Sequence, residues 1–336
     1  MTIYKDYFLH AKSEFSNNPI NLIYGTYDLG IIFPSWDNRC LELLKCTDLS
    51  FKNSILPIFS GKNSAKYSKL NQSKLIDYAK QNSNQTYSFE GESIDFNYIW
   101  QNLSKQIINQ FIKNKSSLNI FLDLSTCPKY YAMSILSTCI LRGIAKLITI
   151  FYSEGEYHIK TDVNQNLFTA GKWDTIAIPS LKNIHDPGKR KYYLVSVGFE
   201  GAKTMQVISK KDPERISILF PDPGVKKEYV SIAESENEIL FNKYKVPDKE
   251  IIRAPAGDAI MAWKKISERS PERPNDENIH YLCCGTKPHA LALSLRAIAR
   301  SNATVLYRKP NSYQYVDVKP IGQYWRYDIK DISAIN

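Results

Sequence analysis

LDLSTCPKYYAMSIL, Leu122–Leu136, and YLCCGTKPHALALSL, Tyr281–Leu295, are two versions of one pattern. Each opens on an apolar strand-like run, passes through a small-residue turn with a proline, and continues as an apolar helical stretch. Thr126 matches Thr286, Pro128 matches Pro288, Ala132 matches Ala292 and Ser134 matches Ser294, all at one constant separation. Proline suits a helix's first turn because the amide it lacks has no intrahelical partner there.

The agreement continues on both sides. Downstream, LITIFYSEGEY (147–157) and ATVLYRKPNSY (303–313) read as strands ending in an aromatic turn, with Tyr152 matching Tyr307 and Tyr157 matching Tyr313. Upstream, Ser54-Ile55-Leu56 matches Ser217-Ile218-Leu219. Further back, GIIFPSWDNRCLELL and YLVSVGFEGAKTMQV each give a strand, an aromatic–acid pair (Trp36-Asp37, Phe199-Glu200) and a helix. Four blocks repeated in the same order indicate an internal duplication.

Strands alternating with helices imply an α/β fold: two tandem Rossmann-like units with mainly parallel sheets. The division expected is residues 1–160 for unit one, a connector over 161–189 with a turn at Asp186-Pro187-Gly188, and residues 190–336 for unit two. The polar stretch Gly61–Ser93 reads as a loop and helix, and Lys264–Asn278 as an exposed connection.

Composition narrows the class. A chain of 336 residues with 43% hydrophobic and 23% charged residues can bury a real core, which argues against wholesale disorder. Six cysteines without CxxC spacing fit reduced thiols. The N-terminal stretch carries Lys5, His10 and Lys12 and lacks a signal-peptide apolar run, while Arg142 and Lys146 interrupt the greasiest segment. A cytoplasmic location without membrane association is the expectation. The formal charge of +10 favours polyanionic partners, although no Lys/Arg run with interleaved aromatics marks a nucleic-acid patch.

In open parallel sheets ligands bind beyond the carboxyl ends of strands, where helix N-termini present free amides and the positive end of the dipole. Those places are the loops Pro34–Arg39, Ser125–Lys129, Gly198–Lys203 and Gly285–His289. The candidate ligand-binding residues are therefore Trp36, Asp37, Arg39, Ser125, Thr126, Lys129, Phe199, Glu200, Gly285, Thr286, Lys287 and His289. Asp37 and Glu200 suit ribose hydroxyls or a base edge, and suit equally an ion pair with Arg39 or Lys203. The threonines also read as helix caps, and Tyr152, Tyr157, Tyr307 and Tyr313 read either as surfaces for base stacking or as sheet-end packing.

The run Asp123-Leu124-Ser125-Thr126-Cys127-Pro128-Lys129 resembles the D-x-[ST]-x-x-x-K signature of CARF domains, which are Rossmann-like sensors of cyclic oligonucleotides. Gly285-Thr286-Lys287-Pro288 is similar to the GTK turn of the same superfamily. A fused pair also resembles SAVED domains, in which two CARF-like units share a pocket. By position, Cys283 and His289 stand in half two where half one has Asp123 and Lys129. The resemblance implies a nucleotide or oligonucleotide ligand between the halves, a role in bacterial antiviral defence, and a separate effector protein as partner.

Enzyme signatures are sparse. Walker, GxGxxG, GxSxG and HExxH motifs are absent, the five histidines are dispersed, and no metal ligand set or cofactor is expected. FPDPGVKKEY reads as a turn at Pro221–Gly224 rather than a nuclease motif. A binding protein is the leading reading. Two others stay open: a metal-independent nuclease acting on cyclic or linear oligonucleotides, and a nucleic-acid-binding scaffold.

Overall fold

A computed structural model describes residues 9–60, 65–92, 94–157, 169–269, 276–299, 303–313, 316 and 318–331. Half one begins with β1 (Leu9–Ser16) and β2 (Gly25–Ile31), a 3-10 helix (Asn38–Lys45), β3 (Leu49–Ser60), α1 (Ala65–Gln81) and β4 (Ser83–Glu92). It continues through α2 (Phe96–Asn114), β5 (Leu118–Asp123), α3 (Lys129–Leu141) and β6 (Ala145–Tyr157). Next come β7 (Thr169–Ala177), β8 (Arg190–Ser196), α4 (Gly201–Lys211), β9 (Arg215–Pro221) and α5 (Lys227–Lys243). The chain closes with β10 (Ile251–Ala254), α6 (Ala259–Arg269), β11 (Glu277–Cys283), α7 (Lys287–Ala299), β12 (Ala303–Tyr313) and β13 (Val318–Asp331).

The fold is α/β with two mixed sheets of mostly parallel strands. Sheet one runs β1-β13-β6-β5-β2-β3-β4 and sheet two β10-β9-β8-β11-β12-β7. Within each, five neighbouring strands are parallel and the strand next to the fifth is antiparallel. The duplication is thus visible as topology. β2, β3, β4, β5 and β6 occupy the places that β8, β9, β10, β11 and β12 occupy in the second sheet.

The antiparallel strands are exchanged. β7 follows β6 in sequence yet pairs with β12, Leu306 opposite Ala177. β13 follows β12 yet pairs with β6, Tyr327 opposite Ile150. The expected division differs here. The stretch 161–189 carries a strand of sheet two, and the last strand of the 190–336 range belongs to sheet one. The polar stretch Gly61–Ser93 likewise ends in β4, an edge strand whose alternating half-buried pattern needs little hydrophobicity. The exposed connection expected from Lys264 starts later, since α6 runs to Arg269.

Three apolar cores stack across the molecule. The 3-10 helix and α1 cover the outer face of sheet one, and α4 and α5 that of sheet two. The middle core joins α2, α3, α6 and α7 with the inner faces of both sheets. Its centre is α3 against α7, which explains why both are apolar on nearly every side. Their hydroxyls are satisfied internally: Ser134 donates to the Tyr130 carbonyl at 2.7 Å and Ser294 to that of Ala290 at 3.0 Å. Gly143, at φ +65°, supplies the left-handed turn that ends α3 and starts β6.

Candidate functional site

In each sheet the chain reverses its direction of growth at one place, between β2 and β5 and between β8 and β11. The loops leaving those strands meet around one cavity of about 310 Å³. This is where an open parallel sheet offers a ligand both helix amides and side chains. The wall includes residues from both halves, and the candidates Trp36, Asp37, Arg39, Thr126, Lys129, Phe199, Glu200, Gly285, Thr286 and Lys287 all belong to it.

Ser125 and His289 do not. Ser125 is fully buried, and its Oγ accepts from the Ser153 amide at 3.0 Å, so it fixes the loop to β6. His289 is also fully buried, and its Nε2 meets the Pro255 carbonyl at 3.1 Å. Burial lowers its pKa to about 4, so the ring is neutral and serves packing.

The lysines are the most informative pair. Lys129 and Lys287 are each the first residue of a thirteen-residue helix. Structure therefore pairs lysine with lysine, where the sequence match sets Lys129 against His289. The side chains cross. Lys129 Nζ donates to the Gly285 carbonyl at 2.7 Å, and Lys287 Nζ to the carbonyls of Ser125 at 2.6 Å and Leu124 at 3.1 Å. Neither ammonium has a carboxylate in hydrogen-bond contact in these interactions. Burial depresses both, with Arg39 pressing further on Lys287, which falls to about 7.

The aromatic–acid turns are closed by ion pairs. Arg39 binds both carboxylate oxygens of Asp37, with Nη2 at 2.6 Å, and its Nη1 reaches the Tyr157 hydroxyl at 3.2 Å. Glu200 holds Lys203 at 2.6 Å and also binds Arg308. Both halves thus place an arginine–carboxylate pair on the wall, with Arg39 from the 3-10 helix and Arg308 from β12. Phe199, Tyr157 and Tyr229 stack edge to face beside them. The threonines brace loops: Thr126 donates to the Phe33 carbonyl at 2.6 Å and Thr286 to that of Ala256 at 2.9 Å. Thr286 also caps α7 by accepting from the His289 amide.

Asp123 lies beneath the wall. It is fully buried, accepts from the Ser125 amide at 2.9 Å, and is pushed up to about 6 by burial. Sequence reading missed several wall residues as binding candidates: Glu154, Tyr229, Gly257 and Arg308. Tyr152, Tyr157 and Tyr307 were visible as sheet-end aromatics. Glu154 and Arg308 follow those tyrosines on β6 and β12, but nothing in their spacing says that these strands end at a cavity.

Among the described residues no group of three or more His, Cys, Asp or Glu is placed to hold a metal ion. No described helix is long and apolar enough to cross a membrane. No protein-family model matches the chain, and no curated protein sequence matches it. Among solved structures it aligns with one described as a universal stress protein from Pseudomonas aeruginosa UCBPP-PA14. That alignment has 9% identity and a TM-score of 0.25, covering 88% of this chain and 96% of the other. A likeness at that level carries no argument about function.

Proposed function

We propose that the protein binds an anionic, nucleotide-type ligand in the cavity between its halves and acts as a sensor or binding component. The observation that carries this reading is the crossed pair Lys129 and Lys287, two cations at helix starts meeting at one cavity. Two dipole ends and two ammonium groups in a low-dielectric wall favour an anion strongly. Aromatic faces at Trp36, Tyr152, Phe199 and Tyr307 suit a base. The volume stands at the low end of small-molecule sites, roughly 300–1,000 Å³, and so favours one compact ligand over a long strand.

The resemblance to CARF and SAVED domains supports the same class of ligand and extends the proposal to a cyclic oligonucleotide, a defence role and a separate effector protein. Cleavage of the bound nucleotide is the second reading. It is favoured by Lys287, whose depressed pKa lets it exchange a proton near neutrality within the cavity.

Titration calorimetry with linear and cyclic nucleotides tests the proposal, using wild type, Lys129→Ala and Lys287→Ala. One ligand per chain is expected, with each variant weakening binding by roughly 1.5–3 kcal/mol. Sensitivity to only one lysine refutes a shared site, and no binding by any nucleotide refutes the ligand class. Mass spectrometry of the recovered nucleotide separates binding from cleavage.

A further inference from the structure

Glu154 is a cavity-wall residue that none of the foregoing contacts explains. It sits on β6 between Tyr152 and Tyr157, is 4% exposed, and points its Oε1 at the indole N–H of Trp325 on β13. Its Oε2 is buried and has no hydrogen-bond partner among the described residues. The neighbouring backbone is shaped around the carboxyl. A Cβ on Gly257 would lie 2.0 Å from Glu154 Oε1 and 2.5 Å from Trp325 Nε1. Burial pushes this carboxyl up, while Trp325 and Arg39 pull it back.

A buried carboxylate oxygen without a donor is expensive, and native proteins rarely keep one without a use. A packing role would be served as well by Gln or Met. An acceptor role would not, because only a carboxylate offers a second acceptor oxygen after the first has accepted the indole N–H hydrogen bond.

We infer that Glu154 is a specificity residue of this cavity, accepting a hydrogen bond from an O–H or N–H donor on the uncharged part of the ligand. The inference rests on the proposed nucleotide reading and deepens it. The lysines hold the anionic end, and Glu154 distinguishes ligands by the polarity of another edge. In a nucleotide that donor is either an exocyclic amino group or a ribose hydroxyl.

Trp325 makes the inference sharply testable. In Glu154→Gln the amide oxygen stays on the indole N–H, so the amide NH₂ replaces the free acceptor and the site's polarity reverses. The probes are AMP, IMP (amino group exchanged for a carbonyl) and 2′,3′-dideoxy-AMP (no ribose hydroxyls), read by calorimetry. Wild type should bind AMP roughly ten- to hundredfold more tightly than the probe lacking the relevant donor, the range for a hydrogen bond to a charged group. IMP is that probe if Glu154 reads the base, and the dideoxy compound if it reads the sugar. Glu154→Gln should abolish the preference, and for a base contact should invert it. Circular dichroism and melting confirm that the variant is folded; should it not fold, Trp325→Phe, which frees Oε1 as well, must change the same preference. Binding by wild type with no preference among the probes, or a preference untouched in the variant, overturns the inference and leaves the proposed function standing. No binding of any probe by wild type overturns the inference, and the proposed function falls with it only if the panel of linear and cyclic nucleotides also fails to bind.

Discussion

Lys287 makes the pH dependence of anion binding calculable. In the free protein its pKa is about 7, because burial disfavours the charged form and Arg39 repels it, while Asp37, Cys127 and Asp123 act in the opposite sense. About half the molecules carry the proton at pH 7, roughly nine-tenths at pH 6 and roughly one-tenth at pH 8. An anion seated beside the ammonium favours the charged form and raises its pKa towards the ordinary lysine value. Binding therefore takes up protons. Uptake should be about half a proton at pH 7 and about nine-tenths at pH 8, with affinity falling about fivefold between those values and nearly tenfold per unit above.

The assay is calorimetry with 3′,5′-cyclic AMP, a phosphodiester that does not titrate in this window, in two buffers of different ionisation enthalpy. Asp123, at about 6, contributes its own uptake at the acid end, since a nearby anion raises a carboxyl pKa too. Lys287→Arg separates the two groups: arginine stays charged, so the Lys287 share of the uptake between pH 7 and 8 should vanish, while the acid-end component and whatever the depressed Lys129 adds at higher pH remain. If arginine is not tolerated, NMR of the ¹³C-dimethylated wild-type lysine titrates Lys287 directly. Wild-type affinity that is flat from about pH 6 to 9, or uptake unchanged in Lys287→Arg, refutes the assignment of the depressed lysine.

Two predictions concern stability. Arg39→Met strands Asp37, 8% exposed, without its bidentate partner, and should cost roughly 3–5 kcal/mol in urea denaturation, most of it recovered by adding Asp37→Asn. A cost below about 1 kcal/mol would class the pair with surface ion pairs. Gly201→Ala should lower the melting temperature although alanine is the better helix former by about 1 kcal/mol, because the new Cβ would sit 1.8 Å from the Glu236 carbonyl oxygen of α5. A neutral or stabilised variant would show that α4 and α5 can move apart freely.

What the sequence shows clearly is what local chemistry writes twice. A buried parallel strand followed by a small-residue turn and proline leaves a signature at Asp123–Lys129 and again at Cys283–Lys287, because both segments meet the same steric demands at a strand's carboxyl end. Ten of the twelve candidate residues reach the cavity wall, five from these two turns and five from the segments after β2 and β8. Ser125 and His289 share the same loops but face inward. Which side of a tight turn a residue takes depends on the packing partner, Ser153 for one and Pro255 for the other. Helix register is similarly hidden. A side-by-side match fixes Pro128 on Pro288, whereas α3 starts one residue after its proline and α7 one residue before.

The strand exchange is the feature least available to local reading, and it shapes the site most. Nothing in the composition of β13 distinguishes pairing with β12, its neighbour in sequence, from pairing with β6, a full half away. The exchange decides who furnishes the cavity. Trp325 reaches Glu154 only because β13 lies on β6, and Tyr327 donates to the Gly257 carbonyl from that same strand. The chain thus crosses between the sheets after β6 and again after β12, with α3 packed on α7 between them. Two Rossmann-like units joined by a single linker can part and close around a ligand as rigid bodies, each carrying its own sheet intact. Here, separating the sheets pulls on every crossing and opens the middle core, exposing Tyr131, Leu136, Leu291 and Leu295 together. Burying those side chains is worth roughly 1.5–3 kcal/mol each, so wide opening of that kind is costly. Under the proposed function, ligand entry and any signal from it then fall to the loops around the cavity, above all Pro34–Arg39 and Pro221–Lys226, where the Lys226–Glu156 ion pair and the Tyr229 contact with the Tyr157 backbone join half two to half one at the edge of the cavity.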